Sequence, residues 1–179
     1  MKYFTPELIV AFGADAPEIW KEAEAKWEAA CEQYNVALAA LESAFPPGLR
    51  YLEDRYALHD AVIRGMGRRK EMFVIVLQLD TPPQPLLTLI YDLVEEPIVQ
   101  REVLPPEYCS TGGHIDWQYD EIEKTDGQPP TWRQSILLSN GWEIVLHFRD
   151  IRVDEIQALL PPPRESAFPQ TAANMPQSV

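Results

Sequence analysis

Trp132-Arg133-Gln134-Ser135-Ile136-Leu137-Leu138-Ser139-Asn140-Gly141-Trp142-Glu143-Ile144-Val145-Leu146-His147-Phe148-Arg149-Asp150 is the stretch whose reading decides the fold. Two runs rich in β-formers flank one Asn-Gly, a pair that accepts positive φ at both central positions of a type I′ turn, so the stretch predicts a β-hairpin. A two-residue loop would set Ser139 against Trp142, Leu137 against Ile144 and Ser135 against Leu146. Trp142, Ile144, Leu146 and Phe148 then share one face, which needs a cover. Glu143, Val145, His147 and Arg149 point the other way, onto a half-polar face.

The cover is sought upstream. Thr5 and Pro6 open a short helix over residues 6–12 that ends near Gly13. A longer helix follows, capped by Asp15, with Pro17 in its first turn and apolar residues at Trp20, Ala23, Trp27, Cys31, Tyr34, Leu38, Leu41 and Phe45. Those spacings of three and four hold one stripe until Pro46-Pro47-Gly48 stops the helix. At about 1.5 Å per residue it would span ~45 Å, so a bend or break is expected. From Asp15 to Phe45 seven acids (Asp15, Glu18, Glu22, Glu24, Glu28, Glu32, Glu42) stand against two bases (Lys21, Lys26). That excess predicts a solvated outer face, with docking of a basic partner as the functional alternative.

After a short turn of helix around residues 49–54 the period becomes two. Residues 56–64, 72–79 and 86–94 read as strands, and their short connections predict antiparallel pairing. Residues 98–103 continue as an edge segment, and 104–113 as a loop. Residues 116–124 form a weakly apolar strand expected at a sheet edge, and 151–160 close the ordered part as a strand or short helix. From 161 to 179 there are five prolines and few sizeable apolar groups, which predicts a flexible tail. The expected fold class is α+β: one domain over residues 1–160, helical at 5–54 and sheet at 56–153. Its antiparallel meander of about six strands is covered on one face by the long N-terminal amphipathic helix.

A chain of 179 residues with 46% hydrophobic and 24% charged side chains suits a single globular domain. Its formal charge of −13 argues against general affinity for nucleic acid or an anionic membrane, because such binding depends on Lys and Arg displacing counterions. A basic protein partner fits that charge, and solubility alone also accounts for it. Cys31 and Cys109 form no CxxC, and the N-terminal residues lack the apolar core of a leader. No apolar run approaches the ~18 residues of a membrane span. Free thiols and a cytoplasmic location are the expectation.

Three segments carry a resemblance. Met1-Lys2-Tyr3-Phe4-Thr5-Pro6-Glu7-Leu8, Leu58-His59-Asp60-Ala61, and Ile136-Leu137-Leu138-Ser139-Asn140-Gly141-Trp142-Glu143-Ile144 with Phe148-Arg149-Asp150 resemble a family of small bacterial proteins of unknown function. The likeness covers roughly residues 1–153. It implies a bacterial cytoplasmic protein and supplies no catalytic residue. The His-Asp-Ala segment opening an antiparallel meander is more loosely similar to immunity proteins of bacterial toxin systems.

Every histidine has an acid near it in sequence: His59 with Asp60, His114 with Asp116, and His147 with Asp150. Imidazole beside carboxylate suits a metal, and His59, His114, Asp116 and His147 would be the ligands if one were held. No HxH or HExxH pair is present, so the expectation is no metal and no cofactor. Glu143 and His147 lie two pleats apart on the half-polar side of the hairpin, and Arg149 extends the row. With His59 and Asp60 they are the candidate binding residues, a Glu with a His being able to move protons where a pocket tunes them. Cys109-Ser110-Thr111-Gly112-Gly113-His114 fails the Cys-x5-Arg phosphatase pattern, because position 115 is Ile, and reads as a turning loop.

Arg64-Gly65-Met66-Gly67-Arg68-Arg69-Lys70 is a basic knot expected on a hairpin loop, where it could hold a phosphate or an acidic partner. No helix follows to make it a P-loop. Trp117, Tyr119, Trp132 and Trp142 are assigned to packing. No catalytic set assembles. The functional expectation is a non-enzymatic protein-binding module, immunity-like or accessory; the alternative is a small metal-dependent or His/acid hydrolase.

Overall fold

The computed structural model describes residues 1–156 apart from 14–16, 83, 111 and 128. Within them lie α1 (Pro6–Phe12), α2 (Pro17–Leu41) and α3 (Pro47–Arg55). The strands are β1 (Val62–Arg69), β2 (Met72–Gln78), β3 (Leu86–Leu93), β4 (Ile98–Gln100), β5 (Trp117–Thr125), β6 (Thr131–Leu138) and β7 (Glu143–Ile156). The Asp15 cap, residues 157–160 and the tail expected at 161–179 lie outside the described residues.

The β6–β7 hairpin forms, one residue out of the expected register. Ile136 pairs with Ile144, Gln134 with Leu146 and Trp132 with Phe148. The reason is the turn. Gly141 has φ +76° and Asn140 is not in the left-handed region, so the loop is three residues long rather than the two of a type I′ turn. Leu138 N–H reaches Trp142 O at 2.9 Å, and Asn140 Oδ1 accepts from Trp142 N–H at 3.2 Å. Neighbouring segments hold the tip: Ser139 exchanges bonds with the Asp116 backbone, and Val103 N–H donates to Gly141 O at 2.8 Å.

The strands run β1-β2-β3-β7-β6-β5, all antiparallel, with β4 pairing the first residues of β7. Two meanders, β1 to β3 and β5 to β7, therefore lie side by side at β3 and β7. The sheet curls until its ends meet. Val62 bridges Asp116, and Ile63 N–H to Ile115 O (2.8 Å), Trp117 N–H to Ala61 O (2.9 Å) and Asp60 N–H to Trp117 O (2.8 Å) stitch the approach to β1 onto the start of β5. The strand expected at an edge is thus tied on both sides at its start, and its Trp117, Glu121 and Ile122 are buried. Strand β1 begins six residues later than its expected start and runs through the basic stretch, with the turn only at Lys70-Glu71. Most of its side chains are exposed, which is why no apolar alternation marks it.

The inner face carries Ile75, Leu77, Leu87, Leu89, Tyr91, Trp132, Gln134, Ile136, Ile144, Leu146 and Phe148, all buried. Leu49 and Leu52 of α3 and Phe45 join this core, Phe45 meeting Trp132 edge-on at 5.2 Å. Helix α3 has Pro46 at its N-cap position and no cap of its own. Asp150 Oδ1, from β7, takes that role by accepting from Gly48 N–H (3.1 Å) and Leu49 N–H (3.3 Å). The approach is close enough that a Cβ on Gly48 would lie 1.5 Å from Ile151 O.

On the outer face, Glu121, Ser135, Leu137, Glu143 and Val145 are also buried. The chain's first residues lie over them. Glu121 accepts from the backbone N–H groups of Lys2 (2.6 Å), Tyr3 and Phe4 (2.7 Å each). Phe4 packs on Trp27, Tyr34 and Tyr119. Helix α2 joins the sheet here: the Tyr34 hydroxyl accepts from Ile122 N–H at 2.9 Å, and Trp27 meets Tyr119 edge-on at 4.9 Å. Leu38 and Leu41 pack against the core.

Two substitutions probe this arrangement. Gly48→Ala should lower stability by at least about 3 kcal/mol in urea unfolding, because a backbone carbonyl occupies the space of the new methyl. Glu121→Gln presents an NH2 to backbone donors and should cost about 3 kcal/mol, with protease cleavage concentrated before residue 13.

Candidate functional site

The residues singled out by sequence end in separate pairs. His59 Nδ1 lies 2.9 Å from Asp60 Oδ2 in the exposed turn before β1, with Asp60 at φ +65° and the imidazole edge-on to Tyr119. His114 Nε2 is 3.5 Å from Asp116 Oδ1, out of hydrogen-bond line, and that oxygen is buried without a bonding partner. His147 Nδ1 contacts Glu95 rather than Asp150, and its Nε2 is buried and unpaired. Asp150 is engaged at α3 instead.

Glu143, His147 and Arg149 do share a side of β7, yet each is held elsewhere. Glu143 pairs with the Met1 amino group at 3.0 Å, and Arg149 reaches Asp92 Oδ1 at 3.2 Å and Leu93 O at 3.1 Å. Among the described residues no three His, Cys, Asp or Glu side chains group as metal ligands would, so His59, His114, Asp116 and His147 are not brought together. The Cys109 thiol points at Pro105 O (3.5 Å) under the hairpin tip, a packing position.

A buried polar chain was missed in sequence. Tyr91 OH donates to Gln134 Oε1 at 2.9 Å, Gln134 Nε2 to Asp120 Oδ2 at 2.7 Å, and Trp117 Nε1 to Asp120 Oδ1 at 2.9 Å. Burial pushes the Asp120 carboxyl above its ordinary range, against the pull of those two donors. Glu53 of α3 faces the same charge; burial first, then repulsion by Asp120 and Asp54, pushes it up to about 8. Burial, with Asp120 next, also raises the Tyr34 hydroxyl. Beside them a cavity of about 200 Å³ is lined by Leu38, Glu42, Phe45, Arg50, Glu53 and Asp54. The signal available in sequence was a polar residue at alternating strand positions, but the expected hairpin register put Gln134 on the half-polar face opposite His147.

The other unusual surface is α2. Ala23 is the buried residue of this 25-residue helix among those whose burial is described, while Ile19 (52% exposed), Trp20 (41%) and Val36 (68%) face outward. Glu18, Glu22, Glu28 and Glu32 are exposed beside them, and Lys26 is paired with Glu22 at 2.7 Å. The expected stripe holds along one side of the helix, where Ala23 is buried and Trp27, Cys31, Tyr34, Leu38 and Leu41 are half-buried, with Tyr34 and Trp27 tied to β5.

No protein-family model matches the chain, and no curated protein matches it.

The Glu53 carboxyl makes stability depend on pH. Its value in the fold, about 8, lies above the ordinary 4.5. The protonated form is therefore favoured by folding, and the stabilisation present below pH 4.5 is lost as pH rises through 8. Glu53→Gln should match the wild type near pH 4.5 and exceed it at pH 8.5 in thermal melts. An equal offset at both values would refute the assignment.

Proposed function

We propose that this protein is a non-enzymatic protein-binding module, immunity-like or accessory in kind, that receives a basic partner on the acidic outer surface of α2. The observation that carries the reading is the exposure of Ile19, Trp20 and Val36 on a helix that also displays a surplus of carboxylates. Exposed apolar area among like charges favours an oppositely charged partner with apolar anchors. In this reading α2 is also the lateral lid of the sheet, tied down through Tyr34 and Trp27, with its far side left for the partner. The scattered pairing of His59, His114 and His147 with separate acids weakens the hydrolase alternative.

The test is reversal of charge away from the fold's anchors. The double variant Glu28→Lys, Glu32→Lys should fold normally by circular dichroism. Immobilised wild-type protein should retain a basic protein from bacterial lysate at about 50 mM salt and release it at about 500 mM, while the variant retains none. Identical retention by both proteins, or none by either, would refute the proposal.

A further inference from the structure

Between α1, the first turn of α2 and the segment from Val103 to Tyr108 runs an apolar groove of about 530 Å³, lined chiefly by Pro6, Val10, Ala11, Ile19, Val103 and Tyr108. We infer that this groove seats a short amphipathic segment of a partner protein. Its aliphatic side chains lie on Val10, Ile19 and Val103, and its Lys or Arg side chains meet an acidic rim. The inference rests on the binding-module reading and gives it a place and a partner chemistry.

Three observations carry it. No residue of α1 is buried, although the helix is apolar at Leu8, Ile9, Val10, Ala11 and Phe12. Phe12 is taken up by stacking on Trp27 at 5.1 Å, which turns one side of α1 to α2 and leaves Val10 and Ala11 at the groove. The opposite wall is already fixed. Val103 N–H is bonded to Gly141 O, and Tyr108 N–H to Pro105 O at 2.9 Å, so the groove is formed before any partner arrives.

Charge decides the occupant. Glu7 lines the groove, and Glu18, Glu102 and Glu107 adjoin Ile19, Val103 and Tyr108 in the chain; all four are exposed, and no ion pair engages them among the described residues. The cations nearest in sequence are turned elsewhere. Arg101 lies over the Trp142 ring at 4.8 Å, and Lys21 follows Ile19 by two residues, about 200° around the helix. A second copy of this chain would bring another net −13 to the rim. The chain's own residues 157–179 carry a single cation, Arg164, beside Glu165. An anionic lipid surface would be repelled by the same carboxylates. A cationic segment with apolar anchors satisfies both the lining and the rim.

The probe is a synthetic peptide of about 15 residues with Leu on one helical face and Lys on the other, titrated into the full-length protein and followed by methyl NMR and calorimetry. Two controls accompany it: the same peptide with Glu for Lys, and one with the Lys retained and the Leu scattered. The expected result is saturable binding of the first peptide alone. The methyl signals of Val10, Ile19 and Val103 should shift, with affinity falling about tenfold from about 50 to about 500 mM salt. Ile19→Gln, at an exposed position, should weaken binding about tenfold, and Glu7→Gln with Glu107→Gln by a few-fold.

No binding at millimolar peptide, equal binding of the scattered peptide, or indifference to Ile19→Gln would overturn the inference. So would concentration-dependent shifts of the groove methyls without peptide, which would make a second copy the occupant. Shifts confined to the surface around Glu28 and Glu32 would remove the groove and leave the acidic-helix reading standing. That reading fails separately, if the Glu28/Glu32 variant retains its partner.

Discussion

The structure depends on the register of β6 against β7, and that register is set by one left-handed residue. Gly141, at φ +76°, closes a three-residue loop, and a Cβ there would lie 2.7 Å from the Cys109 thiol. Because side chains alternate along a strand, a shift of one residue changes which side of β6 shares a face with Ile144, Leu146 and Phe148. The observed pairing puts Trp132, Gln134, Ile136 and Leu138 inside with them, and leaves Ser135 and Leu137 on the face that the first residues of the chain cover. Gln134 inside then requires partners, which Tyr91 and Asp120 provide. The buried polar chain is therefore a consequence of the turn.

Carboxylates do two kinds of work in this protein. Inside, they join elements that share no strand: Asp150 caps α3 from β7, and Glu121 gathers three successive backbone N–H groups at the start of the chain. In both, an anion, half-buried at Asp150 and buried at Glu121, takes donors that would otherwise be unsatisfied, which stabilises more than an exposed ion pair does. Glu53 and Asp120 are different, since neither is ion-paired among the described residues and burial works against their charge. Outside, Glu18, Glu22, Glu28 and Glu32 are exposed on α2, and Glu7, Glu102 and Glu107 on the rim of the groove beside it. The functional proposal draws on this second population.

Much of the architecture was legible because it is written in local patterns. Thr5 and Pro6 start α1, and the hydroxyl of Thr5 does accept from Leu8 N–H at 3.4 Å. Pro17 opens α2, which ends at Leu41, short of the expected Phe45, and passes through a 3-10 turn at Glu42–Ala44 before Pro46-Pro47; the alternation of Phe73, Ile75 and Leu77 marks β2. Strand β1 was misplaced because it is mostly exposed and carries glycine and arginine where an inward strand would carry β-branched residues. The candidate site was less legible. Each histidine does stand near an acid, but His147 took Glu95, 52 positions away in sequence, over Asp150. Nearness along the chain does not order partners that lie across a sheet.

The sequence by itself determined the α+β class, the hairpin's existence, the three helices before the sheet and the net negative charge, because these follow from period, turn residues and charge within short windows. Tertiary structure alone decided the hairpin register, the curling of the sheet until Val62 meets Asp116, the capping of α3 by Asp150, and the gathering of Glu53, Asp120, Gln134 and Tyr91. Each of these joins residues far apart in the chain. Their geometry is set by which surfaces must be dry and which buried polar atoms must be paired, and no local stretch carries that information.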